Sequence, residues 1–210
     1  MSSAAATTPP PSGGRSRLPG WFRDAERVDV ALYDAILRTP TPQLDRHMRR
    51  LTQAANYSRL WIASAVILSA TRGQRGRRAA FVGIAAVTVT SGVANLVLKP
   101  LGRRGRPDPS EAPLERRAPM PLSTSFPSGH SASAFAFATA VGSVLPIDAI
   151  PIRALASAVA YSRVHTGVHY PADVIAGAWL GTTLAQITVR ALAQVTVRAL
   201  EQAPLTPCRR

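Results

Sequence analysis

The sequence predicts an all-α integral membrane protein, a helical bundle of about five transmembrane helices with an N-terminal interfacial helix. Three observations carry this. Hydrophobic residues make up 46% of the 210-residue chain although its formal net charge is +14. That charge is gathered between long uncharged apolar runs, the distribution of a membrane protein rather than of a basic soluble domain. One of these runs, Ala79 to Leu98, is 20 residues without a charge, long enough to cross a bilayer. No period-two alternation competes with the helical runs.

The elements follow in order. Residues 1–22 are rich in Ser, Ala, Thr, Pro and Gly, have little to bury and are expected to be a disordered tail; no apolar core of a secretory signal is visible in them. Residues 23–50 read as amphipathic and interfacial. Within them Asp24–Leu37 interleaves Val28, Val30, Ala31, Ala35 and Ile36 with acids, and Thr39–Pro42 breaks the pattern. A second helix begins near Gln43 and turns apolar toward Ala70. Its clean apolar core, Leu60–Ala70, is 11 residues, and reaches a spanning length only when extended back to Leu51 through Arg59. That arginine must snorkel or face the bundle interior.

Arg72–Arg78 reads as a short loop with four arginines, and Lys99–Pro121 as a long polar loop rich in Arg and Pro. Ser131–Leu145 is apolar and small-residue-rich, ending at Pro146. Pro151–Tyr161 is short and Ala-rich. Val174–Val189 is the last span and continues toward Leu200, with Gly177 and Gly181 four apart, a spacing that permits close helix contact. Residues 51–200 therefore form the membrane-embedded domain and 201–210 a flexible tail. The single cysteine, Cys208, excludes an internal disulfide and a Cys-based metal site.

The chain's 25 basic residues include one lysine, Lys99. An ammonium is a compact point charge and a guanidinium a planar fork, so Lys99 followed by Arg106-Pro107 offers two different clamps for one phosphate. Two further polar islands stand out: Pro127-Ser128-Gly129-His130 at the head of an apolar helix, and Ser162-Arg163-x5-His169-x3-Asp173 between two apolar segments. Counting crossings places all three islands at one membrane face.

Ser128 and Gly129 fall at a helix N-terminus, where free amides and the dipole attract an anion. Lys99, Arg106 and Arg163 add fixed cations, as phosphoryl transfer requires. With Pro171 opening a helix, Asp173 reaches back to His169, fixing the tautomer of its ring and strengthening the other nitrogen as a nucleophile. His130 is then free to protonate the leaving oxygen and later to activate water.

In this order and spacing the three islands resemble the signature motifs of the type 2 phosphatidic acid phosphatase superfamily, over residues 51–190. The Ser-Phe-Pro-Ser-Gly-His and Tyr-Ser-Arg-Val-His-Thr-Gly-Val-His-Tyr-Pro runs are similar to those of short actinobacterial members linked to polyprenyl-phosphate sugar metabolism. The resemblance implies a membrane phosphatase acting on a lipid phosphate monoester or diphosphate. It implies His169 as the nucleophile forming a phosphohistidine, His130 as general acid and then base, and Asp173 as the group orienting His169. Lys99, Arg106, Ser128, Gly129 and Arg163 would bind phosphate, with no metal and no cofactor. The motifs show no departure; the short chain and weak first span do.

The remaining polar residues have plainer readings. His165 is structural or pocket-lining, His47 interfacial, and Arg103 and Arg104 solvated loop charges. Arg72, Arg75, Arg77 and Arg78 anchor topology or touch anionic headgroups. Trp61 and Trp179 face lipid or pack, and Ser162 serves either helix packing or the site. By the positive-inside rule the Arg72–Arg78 loop is cytoplasmic and the site extracytoplasmic in a multi-pass cell-membrane protein. The partners expected are the lipid phosphate and the bilayer, with no nucleic acid. Two rivals share parts of this pattern: a vanadate-type haloperoxidase relative, and a non-enzymatic basic membrane scaffold.

Overall fold

The computed structural model describes residues 19–102 and 104–202; most of the expected N-terminal tail, most of the C-terminal tail, Arg103 and Cys208 lie outside them. The described residues are helical and loop, with no strand. The helices are α1 (Gly20–Arg38), α2 (Pro42–Ala54), α3 (Arg59–Thr71), α4 (Gly73–Gly92), α5 (Lys99–Leu101), α6 (Gly129–Gly142), α7 (Ala149–His165) and α8 (Pro171–Glu201). A π-helical turn, Val93–Leu98, joins α4 to α5, so that Gly73–Leu101 runs as one 29-residue element.

Among the described residues this is the one helix both long and apolar enough to cross a membrane. The 14 residues of α6 rise only about 21 Å, short of a hydrocarbon core of about 30 Å. α6 is instead the centre of the bundle. Its Ala132, Ala134, Ala136, Phe137, Ala140 and Val141 are all fully buried, because α4, α7 and α8 each pack along it. Large apolar side chains stand exposed on the outer helices, among them Ile62, Val66, Phe81, Leu96, Ile175 and Trp179. A belt of this kind marks a surface built to face something other than water.

Two expectations are corrected. The helix expected to run unbroken from Gln43 to Ala70 is cut at Asn56–Ser58, where Tyr57 (φ 56°) and Ser58 (φ 58°) are both left-handed. Two consecutive non-glycine residues in that region cost about 1–3 kcal/mol each, and the kink leaves α3 with 13 residues, about 20 Å. The Arg72–Arg78 segment is not a loop. Gly73, at φ +56°, turns the chain sharply between α3 and α4, and the arginines after it form the first turns of α4.

The glycines four apart in α8 do what their spacing allows. A Cβ on Gly181 would collide with the carbonyl oxygen of Ala132, and one on Gly177 with that of Ser128. The α8 backbone therefore lies directly on α6 and brings the two helix N-termini together, where Ser128 N donates to Asp173 O at 3.0 Å. Gly181→Val should destabilise the protein by about 2 kcal/mol or more and lower Tm in detergent by about 4 °C or more. Gly92, where an added Cβ meets nothing within 4 Å, is the control, and Gly92→Ala should leave Tm unchanged or raised. A wild-type Tm for Gly181→Val would contradict this packing.

Candidate active site

The C-terminal end of the α4–α5 element, the N-terminus of α6 and the α7–α8 connection meet at one end of the bundle, so the three sequence islands converge. His169 is 2% exposed and Asp173 0%. Pro171 opens α8, setting Asp173 in its first turn with Oδ2 3.5 Å from His169 Nδ1. Ser125 Oγ sits between them, donating a short hydrogen bond to Asp173 Oδ2 and standing 3.3 Å from His169 Nδ1. Tyr170 N donates to the same oxygen at 3.0 Å.

On the other side of the ring, Arg106 Nη1 is 3.2 Å from His169 Nε2. A guanidinium only donates, so Nε2 presents a lone pair and the neutral ring carries its proton on Nδ1, toward Ser125 and Asp173. Arg106 is itself fixed by the carbonyls of Ser123 (2.8 Å), Thr124 (3.2 Å) and Val168 (3.0 Å). Arg163, 2% exposed, donates from Nη1 to Thr52 Oγ1 at 2.6 Å, while its buried Nε has no partner among the described residues. Lys99 Nζ lies 3.6 Å from the point where a Gly129 Cβ would be. Lys99, Arg106 and Arg163 all act electrostatically on His130.

Ser128 caps α6, its side chain accepting from the Ser131 amide and from Ser131 Oγ at 3.1 Å. Its own amide is taken by Asp173 O. This corrects one expectation: the amides left outside the helical ladder for an anion are those of Gly129 and His130, in the first turn, and not that of Ser128. His130 Nε2 is 2.9 Å from Asn56 Oδ1, an atom that only accepts, so Nε2 carries a proton. The strained Asn56–Ser58 kink delivers that asparagine.

Arg104 corrects the sequence reading most. It is no solvated loop charge. Its Nη1 pairs with Asp173 Oδ1 at 2.9 Å and its Nη2 with Asp29 Oδ2 at 2.5 Å, and its guanidinium lies 4.4 Å from the centroid of the Tyr170 ring. Asp29 also accepts from Ala172 N at 2.7 Å, which ties α1 to the start of α8. Arg104, Asp29, Ser125 and Asn56 were missed because their partners are set by the path of the 102–128 loop and by a kink. The one available signal was an arginine inside the first motif.

His165 is structural, buried and 2.9 Å from Asp45 Oδ1, which also lies 2.8 Å from buried Arg116 Nε. Trp61 is 1% exposed and packs on Phe137, whereas Trp179 is 72% exposed. Ser162 is buried and bonds its own helix at Val159 O, a packing role. Arg72 pairs with Asp148 at 2.6 Å, at the opposite end of the bundle from the site.

Burial pulls the Arg104 guanidinium down, but the hydrogen bond to Asp29 and the charges of Asp173 and Asp29 outweigh it and hold it above its usual range. Burial depresses Arg106, opposed by Asp173. Burial likewise takes His169 down from 6.5 to about 4; the hydrogen bond to Asp173 resists this, and the nearby charges of Arg163 and Arg106 add to it. The site thus holds a neutral imidazole, oriented by a carboxylate, with its lone pair turned to a cluster of cations. Such a group can attack an electrophilic centre carrying negative oxygens.

Residues 80–196 match the PAP2 superfamily. A curated relative, decaprenylphosphoryl-5-phosphoribose phosphatase of Mycobacterium tuberculosis, is 38% identical over 164 residues, covering 76% of this chain and 86% of its own. Lipid A 1-phosphatase of Rhizobium johnstonii is 36% identical over 103 residues, 46% of this chain and 41% of that one. The crystal structure of a transmembrane PAP2 type phosphatidylglycerolphosphate phosphatase from Bacillus subtilis superposes with a TM-score of 0.62 at 26% identity, covering 89% of this chain and 90% of that one. This chain belongs to the PAP2 superfamily.

The depressed His169 pKa has a direct readout. NMR of ¹⁵N-histidine-labelled protein, assigned against His169→Gln, should show the His169 ring neutral down to pH 5 and protonating near pH 4. An unfolded imidazole titrates near 6.5, so between 6.5 and 4 the unfolded chain binds a proton that the folded chain refuses. The native state therefore loses stability as pH falls through that window. A His169 midpoint at or above 6.5 would contradict the geometry.

Proposed function

We propose that this protein is a metal-independent membrane phosphatase that hydrolyses a lipid phosphate monoester or diphosphate, polyprenyl-linked or glycerolipid, through a phosphohistidine. The observation that carries the reading is the His169 ring, with Asp173 and Ser125 behind Nδ1 and Arg106 at Nε2. The names of the relatives support a lipid phosphate as substrate, and the exposed apolar belt supports a site reached from the bilayer.

In this mechanism His169 Nε2 attacks phosphorus, the bond from phosphorus to the lipid oxygen breaks, and His130 gives that oxygen a proton. His130 then takes a proton from water, whose oxygen displaces His169 and releases inorganic phosphate. Lys99, Arg106, Arg163 and the first-turn amides of α6 at Gly129 and His130, capped by Ser128, hold the equatorial oxygens, a task dominated by positioning and charge. Asp173 orients His169, and Arg104 with Asp29 holds Asp173.

The same reading places residues 51–200 in the membrane as a multi-pass bundle of about five helices, with 23–50 at its interface and flexible tails at 1–22 and 201–210. The arginine-rich start of α4 faces the cytoplasm and the site the opposite side, in keeping with the positive-inside rule.

Phosphate release by purified protein from a panel of polyprenyl and glycerolipid phosphates tests this. Activity should survive EDTA and be inhibited by vanadate. It should fall by about 10³-fold or more in His169→Ala and by about 10²-fold or more in Asp173→Asn. Full turnover by His169→Ala would remove the nucleophile from its role, and loss on chelation would replace the cation cage with a metal route.

A further inference from the structure

His165 and His169 each stand against an aspartate, Asp45 and Asp173. His130 makes no such pair among the described residues. Its Nε2 meets the side-chain carbonyl of Asn56 at 2.9 Å. The charged side chains acting on it are Lys99 of α5, Arg106 of the following loop and Arg163 of α7, beside the titratable His169 ring of the α7–α8 connection. Tyr57 of the kink and Lys99 line the same cavity as His130.

The Asn56 contact is built at a cost. Tyr57 and Ser58, directly after it, are both left-handed, and strain of this kind persists only where the surroundings over-determine it. The kink is clamped on both sides. Four residues before Asn56, Thr52 Oγ1 accepts from Arg163 Nη1 at 2.6 Å. Beyond the kink, buried Trp61 packs on Phe137 of α6 with ring centroids 5.7 Å apart. This segment lies outside residues 80–196, which match the family.

An amide suits the position where a carboxylate would not. A general acid must both hold a proton and release it. An aspartate at 56 would hold the proton in an ion pair, and its charge would oppose the phosphate that Lys99, Arg106 and Arg163 attract. An amide oxygen orients the ring and adds no charge. With the Nε2 proton committed to Asn56, Nδ1 is the nitrogen left for the reaction.

We propose that Asn56 is a positioning residue for His130: it holds the ring by Nε2–H, so that Nδ1 carries the proton given to the departing lipid oxygen and then takes one from the attacking water. The assignment rests on the phosphatase reading above. The proton lost from Nδ1 as the bond from phosphorus to the lipid oxygen breaks is regained when the water oxygen bonds to phosphorus, and the Nε2 proton stays in place throughout.

The test compares kcat/KM of the purified full chain for two probes, an alkyl phosphate and a nitrophenyl phosphate bearing the same alkyl chain. The alkoxide must be protonated as it leaves, and the nitrophenolate need not be. Asn56→Leu should raise the ratio of nitrophenyl to alkyl kcat/KM about 10-fold or more, part of the usual worth of a general acid. A packing role would lower both alike and leave the ratio unmoved. Asn56→Asp keeps the acceptor, adds a charge, and serves if Asn56→Leu does not fold. An anion at Nε2–H favours the protonated ring, so the alkaline limb of its pH–kcat/KM profile on the alkyl phosphate should move up by about one pH unit or more. A wild-type probe ratio in Asn56→Leu, or an alkaline limb unmoved in Asn56→Asp, overturns the positioning role and leaves the phosphatase reading standing. Hydrolysis of neither probe by the wild type overturns both.

Discussion

A carboxylate with no solvent exposure organises this protein. Asp173 is fully buried, and an ionised carboxylate out of water costs several kcal/mol unless its oxygens are satisfied. Here both oxygens are held from two connections: Arg104 of the 102–128 loop on Oδ1, and Ser125 of that loop with the Tyr170 amide and the His169 ring of the α7–α8 connection on Oδ2. Arg104 in turn needs Asp29, which brings α1 against the start of α8. Satisfying one charge thus draws the loop, the first helix and the α7–α8 connection to a single point, and leaves the far nitrogen of His169 turned toward Arg106.

The backbone makes that point reachable. α8 can place Asp173 beside the N-terminus of α6 only because Gly177 and Gly181 let the two backbones touch. The contact leads straight to the Ser128 amide, which bonds the Asp173 carbonyl. Helix packing and site chemistry are therefore one constraint. The same end of the bundle collects the first-turn amides of α6, the lysine ending the long apolar helix, Arg106 from the loop that follows and the arginine ending α7, so a helix dipole and three cations point into one volume.

Much of this was legible in the sequence, for a physical reason. Lys99, Arg106, the Ser128–His130 run and the Arg163–His169–Asp173 run lie at ends of apolar segments, and counting crossings brings those ends together. The Gly177–Gly181 spacing spoke for itself. What escaped was non-local or strained. Asn56 reaches His130 only through a left-handed kink at Tyr57 and Ser58, in a stretch with no glycine or proline to announce it. Arg104 looked solvated because its two carboxylates sit 75 and 69 residues away. The arginines of 72–78 read as a loop because charge suggested one, whereas Arg75, Arg77 and Arg78 extend outward from the opening turns of α4 and Arg72 pairs with Asp148 just before it.

The central claim is that the His169 ring itself becomes phosphorylated, and direct capture of that adduct tests it. Protein mixed with a ³²P-labelled lipid phosphate, quenched within milliseconds in alkali and digested for mass spectrometry should carry label on the peptide containing His169. The bond should be acid-labile and alkali-stable, and the label absent when His169 is glutamine. Label on another residue, or turnover with no covalent adduct at any quench time, would contradict the account.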